Sequence, residues 1–134
     1  MFNLYLAKQT TLPAITRVIE ECLHLLGFDC DVVDFGSGMH MEYLRANNPK
    51  KQLCSISSSK VGSNLFEQYI YFFELPREIS SSGLAKMVSE KLGITVGLSL
   101  PKDSVRLEVD VFSKDGETFK VSAEDGDELH FSVC

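Results

Sequence analysis

Apolar and polar residues repeat along this chain with two different periods, and the switches between them mark out its elements. Ile15, Val18, Ile19, Cys22, Leu23 and Leu26 recur at three- and four-residue spacing, with Arg17, Glu20, Glu21 and His24 between them. That pattern is the buried stripe and the wet face of a helix over about 12–26. Thr11 stands at its cap, Pro13 in the first turn where a missing N–H costs little, and Gly27 at its stop. A second helix is predicted over about 82–92. Leu84, Met87, Val88 and Leu92 form its stripe, one of Ser80, Ser81 and Ser82 its cap, and Gly93 its end.

The remaining apolar positions have a period of two and predict strands. A short strand is expected over 2–7. Another spans 28–35, where the slip at Val32–Val33 means a bulge or burial on both faces. Gly36-Ser37-Gly38 turns the chain. Met39, Met41 and Tyr43 then alternate with His40 and Glu42, and after the turn at Asn47-Asn48-Pro49 residues 52–58 pair back as a hairpin. Residues 57–64 read as a polar loop. The run from Phe66 to Leu75 is apolar on both faces and reads as a central strand.

The last forty residues carry the clearest strand signal. Ile94, Val96, Leu98 and Leu100 alternate with polar or small residues, as do Val105, Leu107, Val109 and Val111, then Phe119, Val121 and Ala123, then Leu129, Phe131 and Val133. Short turns such as Lys114-Asp115-Gly116 and Glu124-Asp125-Gly126-Asp127 make neighbouring runs antiparallel. The fold class is therefore α+β: a mostly antiparallel sheet of about 7–9 strands with a C-terminal four-strand meander. The two helices are expected to lie against the meander's apolar face. No linker divides the chain, so residues 1–134 read as one domain.

Composition narrows the setting. A hydrophobic fraction of 44% and a charged fraction of 24% suit a globular chain rather than a disordered one. The longest apolar run, Tyr69 to Phe73, is far short of the roughly 20 residues that cross a membrane. Residues 1–7 lack the basic flank of a signal peptide, so a cytoplasmic location is expected. Cys22, Cys30, Cys54 and Cys134 show no Cys-x-x-Cys spacing and read as reduced thiols. Cys22 and Cys30 fall on buried registers.

Charge is unevenly spread. The net charge is −6, yet residues 44–66 hold Arg45, Lys50, Lys51 and Lys60 and no acid. Residues 103–134 hold nine acids against Arg106, Lys114 and Lys120. An acidic surface repels nucleic acid and steers basic partners.

Motifs for catalysis are sparse. His24, His40 and His130 each fall on an exposed register with no serine or cysteine in a nucleophile setting, and Gly36-Ser37-Gly38 lacks the spacing of a nucleophile elbow. Asp29, Asp31 and Asp34 hold a cation together only if their strand bulges. The run Glu124, Asp125, Asp127, Glu128 lacks the alternating ligands of a calcium loop. No glycine-rich phosphate cradle occurs. Ser80, Ser81 and Ser82 precede a helix N-terminus of the kind that binds phosphate, but capping already explains at least one of them. Tyr69, Tyr71 and Phe73 share a strand face, as stacking aromatics of RNA-binding sheets do. The basic-glycine-aromatic motif is missing, so they are assigned to the core.

These features point to a non-catalytic domain that binds a basic protein partner and takes no cofactor, metal, nucleic acid or membrane. The expected site is the acidic stripe Glu108, Asp110, Asp115, Glu117, Glu124, Asp125, Asp127 and Glu128. The most concrete form is an immunity- or antitoxin-type inhibitor whose carboxylates stand where phosphates would sit in a nuclease toxin's cleft. One alternative is a small enzyme or ligand-binding domain assembled from distant residues, with His40, the carboxylates Asp29, Asp31 and Asp34, and Tyr69 as first suspects. Another is an acidic secretion or assembly chaperone.

Overall fold

The computed structural model describes residues 2–34, 52–76, 78–100, 106–124 and 129–133. In chain order these form β1 (Asn3–Leu6), α1 (Leu12–Leu25), β2 (Cys30–Asp34), β3 (Gln52–Lys60), β4 (Gln68–Glu74), α2 (Ser81–Leu92), β5 (Val96–Ser99), β6 (Arg106–Phe112), β7 (Thr118–Glu124) and β8 (Ser132–Val133). The architecture is α+β, with one sheet in the order β2-β3-β4-β1-β5-β6-β7-β8 among the described residues. Every pairing is antiparallel except β2 with β3. The order β3-β4-β1-β5, with a helix after β1 and another before β5, is the split β-α-β arrangement.

Both helices form where the apolar stripe predicts, but their starts differ. Ser80 caps α2 by accepting the Gly83 N–H at 3.1 Å. Thr11 occupies the cap position of α1 without any side-chain capping bond. Gly27 and Gly93 take φ of +95° and +65°, a left-handed turn that ends each helix without a Cβ penalty. The helices lie side by side, with Lys91 Nζ 3.8 Å from Glu21 Oε2.

One core lies beneath them. Ile15, Ile19, Cys22 and Leu23 of α1 and Leu84, Ala85 and Val88 of α2 cover Leu4, Leu6, Cys54, Ile56, Ile70, Phe72, Val96 and Leu98 of the sheet. Each fully buried large side chain contributes about 1.5–3 kcal/mol. Gln68, 3% exposed, joins three segments: its Oε1 accepts the Thr10 N–H at 2.8 Å, and its Nε2 donates to the Thr10 carbonyl and to Ser58 Oγ.

The strands correct several expectations. The meander β5-β6-β7-β8 is present, but its apolar face is not the helices' face. Leu98 pairs with Asp110, and Gly97 with Val111, so the apolar alternation changes sides between β5 and β6. Val109, Val111, Val121 and Ala123 therefore point away from the helices, into a second core with Tyr5, Phe66 and Phe131. Tyr69, Tyr71 and Phe73 also lie on this second face, and Tyr71 is 38% exposed rather than core. Residues 57–60 belong to β3 rather than to a loop. At β2 the register runs without a shift, and Val32 and Val33 are both buried, so the slip reflects burial on both faces. The expected turn at 36–38, the strand over 39–43 and the turn at 47–49 lie outside the described residues.

The second core is closed by the chain itself. Leu129 N–H donates to the Gly62 carbonyl at 3.0 Å, and Ser63 and Leu129 form a parallel bridge. Asn64 holds Phe131 twice: Oδ1 accepts its N–H at 2.7 Å, and Nδ2 donates to its carbonyl at 3.0 Å. Tyr5, Phe66 and Phe131 pack with ring centroids 5.4–6.1 Å apart. A Cβ on Gly97 would stand 2.7 Å from Phe66 Cζ and from Val109 Cγ1, so this strand position admits only glycine without a shift.

Candidate protein-binding surface

The ribbon of β6 and β7 carries the described acids of the expected site. Its register pairs Arg106 with Glu124, Glu108 with Ser122, Asp110 with Lys120 and Phe112 with Thr118. Because Val109 and Val121 face the second core, Glu108, Asp110, Lys120 and Glu124 share the opposite, polar face. Glu108 and Asp110 are half-buried, whereas Asp115, Glu117 and Glu124 are exposed. Asp110 Oδ1 lies 3.8 Å from Lys120 Nζ, a surface pair worth about 0–1 kcal/mol.

The acids do not form one cluster. Asp115 and Glu117 flank the turn at Gly116, while Glu124 stands at the other end of β7, about 20 Å away at strand rise. Glu108 and Asp110 bridge the two ends, and Lys120 interrupts the line. Asp125, Asp127 and Glu128 lie outside the described residues.

A groove that the sequence reading did not single out lies beside β2. A cavity of about 430 Å³ is lined by Thr16, Arg17, Glu20, Glu21 and His24 of α1 and by Asp29, Cys30 and Asp31. The signal was available: the wet face of α1 is followed, just past Gly27, by two more acids. Cys30 Sγ donates to the Asp31 carbonyl at 3.7 Å. A smaller cavity of about 290 Å³ lies between α2 and the β6–β7 turn, lined by Lys86, Glu90, Lys114, Asp115 and Glu117 among others.

The catalytic suspects do not converge on one site: Asp29 and Asp31 line the groove with His24, whereas Tyr69 packs against the second core. His24 is on the outer face of α1, His130 is exposed beside β8, and His40 is outside the described residues. Asp31 and Asp34 fall on opposite faces of β2, since the strand runs in regular register. Among the described residues no group of three or more His, Cys, Asp or Glu is placed to hold a metal ion. Cys22, Cys30 and Cys54 are buried free thiols, and burial pushes the Cys22 thiol up to about 11, away from thiolate chemistry. Burial likewise raises the Tyr5 hydroxyl to about 12, with the neighbouring Tyr69 adding to it, and raises Tyr69 itself. None of the described helices is long and apolar enough to cross a membrane.

What the ribbon can do is present carboxylates along the polar face of β6 and β7. Comparison with protein-family models, curated proteins and solved structures finds no match to this chain.

Proposed function

We propose that this chain is a non-catalytic binding domain that docks on a basic protein partner. In its most concrete form it is an immunity- or antitoxin-type inhibitor that covers the cationic cleft of a nuclease toxin in the cytoplasm. The observation that carries the reading is the polar face of the β6–β7 ribbon. It runs from Asp115 and Glu117 through Asp110 and Glu108 to Glu124 on a chain of net charge −6. A line of carboxylates about 20 Å long matches the reach of several phosphates, and such a field speeds encounter with a cationic surface. The buried free thiols fit a reducing compartment.

The test is capture of partners from native lysate, followed by association kinetics at several salt concentrations. Asp115→Lys, Glu117→Lys and Glu124→Lys together should slow association and flatten its salt dependence, with folding intact because these side chains point to water. Unchanged rates would remove the ribbon from the interface. The 430 Å³ groove favours a second reading, a domain that binds a cationic ligand between α1 and β2. In that case Glu20→Lys with Asp29→Lys, not the ribbon variant, abolishes binding.

A further inference from the structure

We propose that residues 129–133 form a displaceable strap, lying in a groove that also accepts an extended peptide with an aromatic anchor from another molecule. The inference is independent of the acidic ribbon and rests on how the strap is held. Its ladder with β7 comprises two residue pairs, Val121 with Val133 and Ser122 with Ser132. Among the described residues its other hydrogen-bonded ties are the Leu129 N–H to the Gly62 carbonyl and the two bonds from Asn64 to Phe131. Only Phe131 is fully buried; Leu129 is half-buried, His130 and Ser132 are exposed, and Val133 is 74% exposed.

Each tie reads something other than the strap's own identity. Asn64 presents one acceptor and one donor to the N–H and C=O of a single residue, as a neighbouring strand would. Any extended residue satisfies it. The slot between Tyr5 and Phe66 reads a ring, edge-on to Phe66 at 86°. Gly97 leaves the space that Phe66 fills behind that slot. The side chains at 130 and 132 are exposed. The groove thus selects a main chain in β conformation with an aromatic residue two positions after an aliphatic one, the arrangement of Leu129 and Phe131. A partner strand of that chemistry can make the same bonds, and displaces the strap when its concentration outweighs the tether that keeps the strap beside its groove. Elements held by so few buried contacts open well before the whole fold.

Hydrogen exchange on the full chain and a labelled peptide Leu-His-Phe-Ser-Val test this together. In the wild type, the amides of Leu129 and Phe131 should exchange faster than those of Leu4 and Tyr5 in β1. Asn64→Ala should speed the strap amides by a further ten- to hundredfold, roughly the loss of a buried hydrogen-bond partner, and leave β1 unchanged. The peptide should bind Phe131→Ala more tightly than wild type, because the anchor no longer competes. The same peptide with its phenylalanine replaced by alanine should bind neither. If Phe131→Ala does not fold, excess peptide on the wild type should itself accelerate exchange at Leu129 and Phe131. Strap amides exchanging in step with β1, or a peptide that binds equally well without its ring, would overturn the proposal.

Discussion

The two faces of the sheet are closed by different means. On one, α1 and α2 lay aliphatic stripes over β1, β3, β4 and β5, and each helix is specified by a local repeat, a cap position and a glycine stop. On the other, no described helix takes part. The rings of Tyr5, Phe66 and Phe131 pack there with Val109, Val111, Val121 and Ala123, and a loop and a strap far apart in sequence border them. Rings suit that task because each reaches further than an aliphatic chain and packs well at an angle. The helical core is therefore redundant, with many side chains sharing the load. The aromatic core depends on a few long-range contacts, and its edge can open alone.

Truncation separates the two most sharply. Phe72→Ala removes a fully buried ring under the helices and should cost about 3–5 kcal/mol in urea unfolding. Phe131→Ala should cost less, because its effect is limited to the free energy of detaching the strap. Equal losses would show that the second core folds as one unit with the first. Gly97→Ala should cost about 1–3 kcal/mol through overpacking against Phe66 and Val109. Its cost should shrink in a Phe66→Ala background, a coupling measurable by a double-mutant cycle.

Alkaline pH should strain the aromatic core. The folded pKa of Tyr5, about 12, lies above its ordinary value near 10, so the unfolded chain releases that proton first. The stabilisation is complete below pH 10 and is lost as pH rises through about 12. Tyr5→Phe should flatten stability against pH in that window, read by denaturant midpoints. The smallest contrast lies between the helix starts. Ser80→Ala should cost about 1 kcal/mol, and Thr11→Ala a few tenths, because only Ser80 accepts a capping hydrogen bond. Thermal midpoints of the two variants decide it.

These contrasts track how much of the molecule the sequence discloses. The stripes of α1 and α2 are legible because a 3.6-residue period is a local property, and so are the alternating runs of β5, β6 and β7. The side to which an alternating run points is not local. Val96 and Val109 look alike in sequence, yet the pairing of Gly97 with Val111 sends them to opposite faces. The parallel pairing of β2 with β3 and the clasp of Asn64 on Phe131 are likewise tertiary facts. At the candidate site, alternation placed Glu108 and Asp110 on a polar register. The separation of Asp115 and Glu117 from Glu124 follows from hairpin turns alternating ends. The groove beside β2 escaped because its acids are split between a helix face and a strand, two patterns read separately.

The position of β1 has a consequence in time. Leu4 lies opposite Ile70 on one side and Leu98 on the other, so β1 gains its second partner only when β5, some ninety residues later, has been made. Until residue 99 has emerged during synthesis, Leu4, Tyr5 and Leu6 have nothing to pair with across one edge. Closing such long loops slows folding, and an apolar strand waiting that long is exposed to wrong partners. Moving residues 1–10 to follow the last strand, in a circular permutant, should remove that wait and raise the soluble yield when the chain is made by cell-free translation.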